Sequence, residues 1–168
     1  MRMFAELDTG DIIDIIKFPL ALNDTALDCI NKMQEVGPDF LAKTLEDYAK
    51  GRLVDKPQDN NKATYCTKIE KEQGEIDPFN DSLDNIFAKH KGYYLRPNVY
   101  FTAPDNWKNA GKTVIIDTIL CDQDIYNQHK DTPLINEDNI SPAVNMLKLK
   151  PEGKKAMERD EFKNGYIK

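Results

Sequence analysis

Residues Glu6–Ile13 read E-L-D-T-G-D-I-I. A carboxylate, a small polar residue and a glycine lead directly into β-branched apolar residues, a pattern that looks like part of an active site with Asp8 as its acid. One chemistry open to Asp-Thr-Gly is aspartic proteolysis, in which paired carboxylates share a proton and activate water. The flanking residues argue against it. Asp11 follows the glycine and would add a third charge to such a dyad, and Glu6 crowds more negative charge just upstream. No second loop of this kind occurs, so a homodimer would have to supply the partner carboxylate.

The elements around Asp8 follow from the pattern of apolar residues. Ile12, Ile13, Ile15, Ile16 and Phe18 do not alternate, so Asp11–Phe18 is expected as a strand covered on both faces and ended by Pro19. A helix then starts in N-D-T-A-L-D-C-I-N-K-M, capped by Asn23 or Asp24, with Ala26, Ile30 and Met33 on one stripe. It breaks at Gly37-Pro38 and resumes with Leu41, Leu45 and Tyr48 facing inward and Gly51 as its stop. A lone βα unit whose strand is buried on both faces needs neighbouring strands and a second helical layer. Residues 1–52 are therefore expected to be the last piece of an α/β domain, and residues 53–63, polar and rich in Asn, Gln and Pro, a linker.

Beyond residue 63 the grammar changes. Thr64–Glu70, Asn98–Ala103, Lys112–Asp122 and Ala143–Lys150 are expected as strands, with a turn at E-Q-G-E-I-D and a helix over Asp81–His90 that turns Leu83, Ile86 and Phe87 inward. Gln123–Pro142 is expected as a long polar loop. Irregularly spaced strands with one helix make residues 64–168 a small β-barrel or α+β domain.

Composition narrows the classes. Apolar content of 40% and charged content of 31% fit a globular protein. No run approaches the roughly 18 apolar residues of a membrane span, and acids occupy the place of a signal peptide's apolar stretch, so no membrane association and a cytoplasmic location are expected. Cys29, Cys66 and Cys121 are odd in number and widely spaced; they are expected as buried apolar residues, not as a disulfide framework or zinc site. His90 and His129 are isolated and expected at the surface, so no metal is expected. The N-D-T at Asn23 is a glycosylation pattern without meaning in a reducing compartment. The net charge of −6 is uneven: residues 1–56 carry 7 Lys+Arg against 11 Asp+Glu, and residues 148–168 carry 7 against 4. That basic end could touch phosphate.

Three separated stretches, in order, carry a resemblance. E-L-D-T-G-D-I-I with K-F-P-L-A-L-N-D-T-A-L-D-C-I-N-K-M resembles the end of the catalytic domain of methionyl-tRNA formyltransferases. A-T-Y-C-T-K-I-E-K-E-Q-G-E-I-D resembles the opening of that family's C-terminal domain, and L-K-L-K-P-E-G-K-K-A-M followed by F-K-N-G-Y its close. The resemblance implies an α+β chain: a remnant βα unit of a Rossmann-like formyltransferase domain, then a small C-terminal β-barrel, OB-like, with one helix. It implies formyl transfer from 10-formyltetrahydrofolate to the α-amine of initiator methionyl-tRNA by an Asn–His–Asp set, in which the aspartate orients the histidine and a water. Asp8 matches that aspartate, and Leu7, Asp8 and Gly10 would border the folate. The Asn and His have no counterpart here, so the chain alone is expected to be inactive.

The resemblance further assigns the second domain to tRNA, with Lys68, Lys71, Lys112, Lys148, Lys150, Lys154 and Lys155 as candidate phosphate contacts. Residues 57–168 carry 16 Lys+Arg against 18 Asp+Glu, less basic than such a domain is expected to be. In L-R-P-N-V-Y-F the family has W-P-G; Arg96 stands for the aromatic and Asn98 for the glycine, a residue that tolerates the left-handed conformation. A monomer is expected. A sugar-nucleotide N-formyltransferase, or a non-catalytic RNA- or protein-binding module, would share many of these features.

Overall fold

The computed structural model describes residues 1–136 and 139–167, and its contacts divide the chain into two units. The first comprises Met1–Leu20 and Asp28–Lys68, the second Ala21–Leu27 and Ile69–Lys168.

Alternation builds the second unit. β1 (Val99–Thr102), β2 (Thr113–Cys121), β5 (Val144–Pro151) and β6 (Met157–Glu158) form one antiparallel sheet in the order β1-β2-β5-β6. β3 (Ile135–Asn136) and β4 (Asn139–Ile140) form a separate two-stranded sheet. One face of the larger sheet is buried through Val99, Phe101, Val114, Ile116, Ile119, Leu147 and Leu149. α2 (Leu83–Gly92) starts where Ser82 Oγ accepts the Asn85 N–H, and it buries Leu83, Ile86 and Phe87 as expected. Trp107 meets Phe79, Phe101 and Phe162 edge to face, with ring centroids 5.4–6.1 Å apart. Gly74 lies against the Asn98 carbonyl, which a Cβ would approach to 2.1 Å, and Asn98 takes φ 73°. The glycine of E-Q-G-E-I-D and the Asn at the expected left-handed position thus belong to one contact.

Several expectations are corrected. Thr64–Glu70 forms no strand: Tyr65, Cys66 and Ile69 are exposed, and a 3-10 turn follows over Lys71–Gly74. The expected loop Gln123–Pro142 contains α3 (Gln123–His129), whose N-terminus is capped by Asp122, and the short β3–β4 pair; its residues 137 and 138 lie outside the described residues. α4 (Arg159–Tyr166) closes the chain and buries Phe162, so this unit has more than one helix. The described strands pair as two open sheets, with no closure into a barrel in their pairing. His90 is buried at 4% exposure, its Nε2 3.4 Å from the Asp117 carbonyl, and burial lowers its pKa. Only Cys121 of the cysteines is fully buried, and burial raises its thiol pKa to about 11.

In the first unit, Asp11–Phe18 does not form a strand. Its sole ladder contact is an isolated bridge between Ile12 and Lys56, and Ile15 and Ile16 are exposed. A strand needs a partner along its length, and the described residues offer only that one point. α1 (Ala26–Ala49) runs unbroken through Pro38. Asn23 does not cap it; its side chain bonds the backbone of Cys121 through both Oδ1 and Nδ2. The face expected to point inward does not: Leu41 and Leu45 are each 58% exposed, and α1 buries no residue.

The contrast makes a test. Phe162→Ala should lower stability by about 3–5 kcal/mol, because it removes a fully buried ring packed edge to face on Trp107. Leu41→Ser should change it by less than about 0.5 kcal/mol, as surface substitutions do. Denaturant unfolding followed by far-ultraviolet circular dichroism measures both.

Candidate functional site

The loop that carries Asp8 is folded back on itself. The Arg2 N–H donates to the Asp11 carbonyl at 2.9 Å, which brings the start of the chain across Gly10. A Cβ on Gly10 would lie 1.9 Å from the Arg2 carbonyl oxygen, so only glycine permits this crossing. Thr9 Oγ1 donates to the Glu6 carbonyl at 3.3 Å. Asp8 takes φ 56°, a left-handed conformation that costs a non-glycine residue on the order of 1 kcal/mol and that Asp tolerates better than most. Its carboxylate is exposed, and among the described residues no hydrogen bond or ion pair engages it.

The rest of the unit braces this loop. Gln58 Nε2 donates to the carbonyls of Asp8 at 2.8 Å and Gly10 at 2.7 Å, while Ile12 and Lys56 exchange two backbone bonds of 2.9 Å. The Arg2 guanidinium meets Asp55 at 2.5 Å, bonds the Tyr48 hydroxyl and lies 5.7 Å from that ring's centroid. The bond to Tyr48, then the charge of Asp55, raises the guanidinium pKa.

Of the other residues expected to border this site, Leu7 is exposed beside Asp8 and Gly10 is buried within the loop. His90 and His129 belong to the second unit. Among the described residues no group of three or more His, Cys, Asp or Glu could hold a metal. Chemically, the loop offers the exposed carboxylate of Asp8, with that of Glu6 two residues away, on a turn held by hydrogen bonds to its backbone. Arg2, Tyr48, Asp55 and Gln58 escaped the sequence reading because nothing in their local pattern marks them.

The candidate cations divide. Lys68 ends the first unit. In the second, Tyr100, Ile115 and Lys150 stand side by side across β1, β2 and β5, on the face opposite the core. The Lys71 ammonium lies 5.9 Å from the Tyr100 ring centroid, which adds a second cation to that row. Tyr100 was missed by a charge-based reading, although the alternation of V-Y-F-T already turned it outward. Its phenol pKa is raised, first by partial burial and then by Glu75 and Glu72. Lys148, opposite Thr118, is paired with Glu158 at 3.1 Å. Lys112 precedes β2, and Lys154 and Lys155 are exposed in the β5–β6 turn. A cleft of about 610 Å³ near α2 is lined by Glu75, Asp77, Asp81 and Lys89, a charge balance unsuited to anions.

Comparison with known proteins bears on both units. Residues 68–167 match the family described as formyl transferase, C-terminal domain. The methionyl-tRNA formyltransferase of Rickettsia bellii (strain RML369-C) is 35% identical over 173 residues, covering 99% of this chain and 53% of the relative. That of Chlamydia caviae is 28% identical over 172 residues, with the same coverages. The chain thus spans about half the length of the curated relatives it matches. Among solved structures, a variant of HypX from Aquifex aeolicus has a TM-score of 0.57 at 16% identity, over 99% of this chain and 30% of that one. HypX in complex with tetrahydrofolic acid gives 0.56 at 15% identity, over 95% and 28%. At these identities the likeness is one of fold.

The loop geometry makes its own test. Gly10→Ala should force the Arg2 crossing apart, so trypsin should cleave after Arg2 at least about 5-fold faster than in the parent, as expected where local closure is lost. Mass spectrometry of the digest reads this directly.

Proposed function

The chain belongs to the formyl transferase family through its C-terminal domain, and from that membership we propose that it is the C-terminal portion of a methionyl-tRNA formyltransferase. The observation that carries the proposal is the alignment of the two relatives along 99% of the chain, so that the match extends beyond residues 68–167 to the Asp8 loop. In this reading residues 1–52 close the catalytic domain, 53–63 join it to the next, and 64–168 form the C-terminal domain. The acceptor is initiator methionyl-tRNA, the site of action the cytoplasm. No helix among the described residues is long and apolar enough to cross a membrane.

Asp8 is the catalytic carboxylate of this proposal. Its exposed, unpaired side chain can orient a histidine and a water, and its place on a braced turn limits where the proton can be held. The exposed Leu7 beside it and the backbone at Gly10 fit one edge of a folate site. The co-substrate, 10-formyltetrahydrofolate, supplies the formyl group. The 168 residues contribute only one member of the Asn–His–Asp set, so alone they do not transfer formyl groups. A chimaera in which the unmatched part of the Rickettsia bellii enzyme precedes this chain should formylate methionyl-tRNA, and Asp8→Asn should lower that rate by at least ~10². An unchanged rate in Asp8→Asn would remove the residue's role, and formylation by the 168-residue chain alone would contradict the division of labour.

The second unit is proposed to hold the tRNA backbone on its outer sheet face, through Lys71 over Tyr100 and Lys150 two strands along the same row. Such contacts are electrostatic and read no sequence. Lys71→Ala and Lys150→Ala should each reduce the slope of log K against log salt by about 0.9 in a fluorescence-anisotropy titration with tRNA. Lys148→Ala should do less, because Glu158 already neutralises it. Absence of any tRNA binding at low salt would sink this part of the reading.

A further inference from the structure

The segment 53–63 has the composition of a flexible linker, yet it runs beside the Asp8 loop. Ile12 and Lys56 exchange both backbone hydrogen bonds. Two residues on, Gln58 reaches the loop with its carboxamide and donates to the carbonyls on either side of Thr9, those of Asp8 and Gly10. Both acceptors are carbonyl oxygens, so the amide must present its NH₂ end, and both of its protons are used. Asp55, three residues earlier, holds Arg2, whose own backbone crosses Gly10. Asp55, Lys56 and Gln58 of this segment thus all hold the loop or the residue that crosses it.

We infer that Gln58 is a positioning residue for Asp8: its carboxamide ties the carbonyls of Asp8 and Gly10 together and holds the left-handed turn from which the Asp8 carboxylate projects. This rests on the reading of Asp8 as the catalytic carboxylate. A left-handed aspartate is unfavourable in isolation and persists only where its surroundings over-determine it. Among the described residues Gln58 is the side chain that bonds the carbonyls of this turn, since Thr9 reaches back to Glu6 and no hydrogen bond or ion pair engages the Asp8 carboxylate. The joining segment is thereby part of the scaffold of the site.

Nuclear magnetic resonance of the 168-residue chain tests this. In the parent, Asp8 should show the strong intraresidue HN–Hα cross-peak of a positive φ, and the Ile12 amide should be protected from exchange. Gln58→Ala should weaken the cross-peak to the intensity typical of negative φ and speed Ile12 exchange by about 10-fold, the effect of losing hydrogen bonds of this kind. Amides of β2 and β5 should not change, which separates loop release from general unfolding. Gln58→Glu should behave like Gln58→Ala at neutral pH, because a carboxylate cannot donate. Below about pH 4 its protonated acid regains one donor, and the cross-peak intensity should partly recover while Gln58→Ala stays open. A Gln58→Ala chain that keeps the cross-peak at parental intensity and its Ile12 protection overturns the clamp, whatever Asp8 does. A loop that opens as described, with Asp8→Asn fully active in the chimaera, instead removes the catalytic reading, and Gln58 then positions nothing catalytic.

Discussion

The second unit depends on the register between β2 and β5. Val114 lies opposite Pro151 and Ile116 opposite Leu149, and after an irregularity at Asp117 the pairing resumes with Thr118 opposite Lys148 and Ile119 opposite Leu147. Because successive strand residues face opposite sides, this one alignment decides both what is buried and what is presented to solvent. A slip of one residue would drive Lys148 and Lys150 into the aromatic cluster around Trp107 and turn Leu147 and Leu149 outward. The core and the basic outer row are two readings of the same pairing, so the face proposed to meet tRNA cannot be altered independently of the packing beneath it.

What could be read from the sequence follows from where the deciding physics is local. The strands around Val99–Thr102, Thr113–Cys121 and Val144–Pro151 announce themselves by alternation, and α2 by Ser82 ahead of Leu83, Ile86 and Phe87. Asp11–Phe18 and Thr64–Glu70 carry equally good strand composition, but a strand is completed by its neighbour, and the described residues supply none along their length. α1 runs through Gly37-Pro38 although an interior proline removes one backbone donor and crowds the preceding turn, a cost of about 3 kcal/mol that local pattern reads as a break. α3 and α4 are short and polar, and each is anchored by one aromatic, Tyr126 or Phe162, that no periodicity could reveal. For the site, Asp8 was legible as an acid in an active-site-like stretch, and the turn at Gly10 only through the family resemblance. The brace from Arg2, Tyr48, Asp55 and Gln58 was not, since it depends on residues about fifty positions apart meeting in space.

Charge is distributed more sparingly than a nucleic-acid surface would suggest. Lys148 is neutralised by Glu158, and Glu72 and Glu75 lie near enough to Tyr100 to raise its pKa. What remains on the outer row is a small number of cations beside one aromatic ring. A surface of that kind suits a partner already oriented by contacts elsewhere, contributing attachment where recognition is made by other groups.

Residues 21–27 belong to the second unit although the chain on both sides of them belongs to the first. The Asn23 side chain is hydrogen-bonded at the end of β2, and Lys91 holds the Leu22 carbonyl. The chain therefore passes from one unit to the other three times where beads on a string would pass once. A gene broken within 53–63 would yield two polypeptides, the first of which still carries a plug that fits the second. Fission at that point would leave a pair able to find each other, where fission between simply tethered domains would leave two strangers.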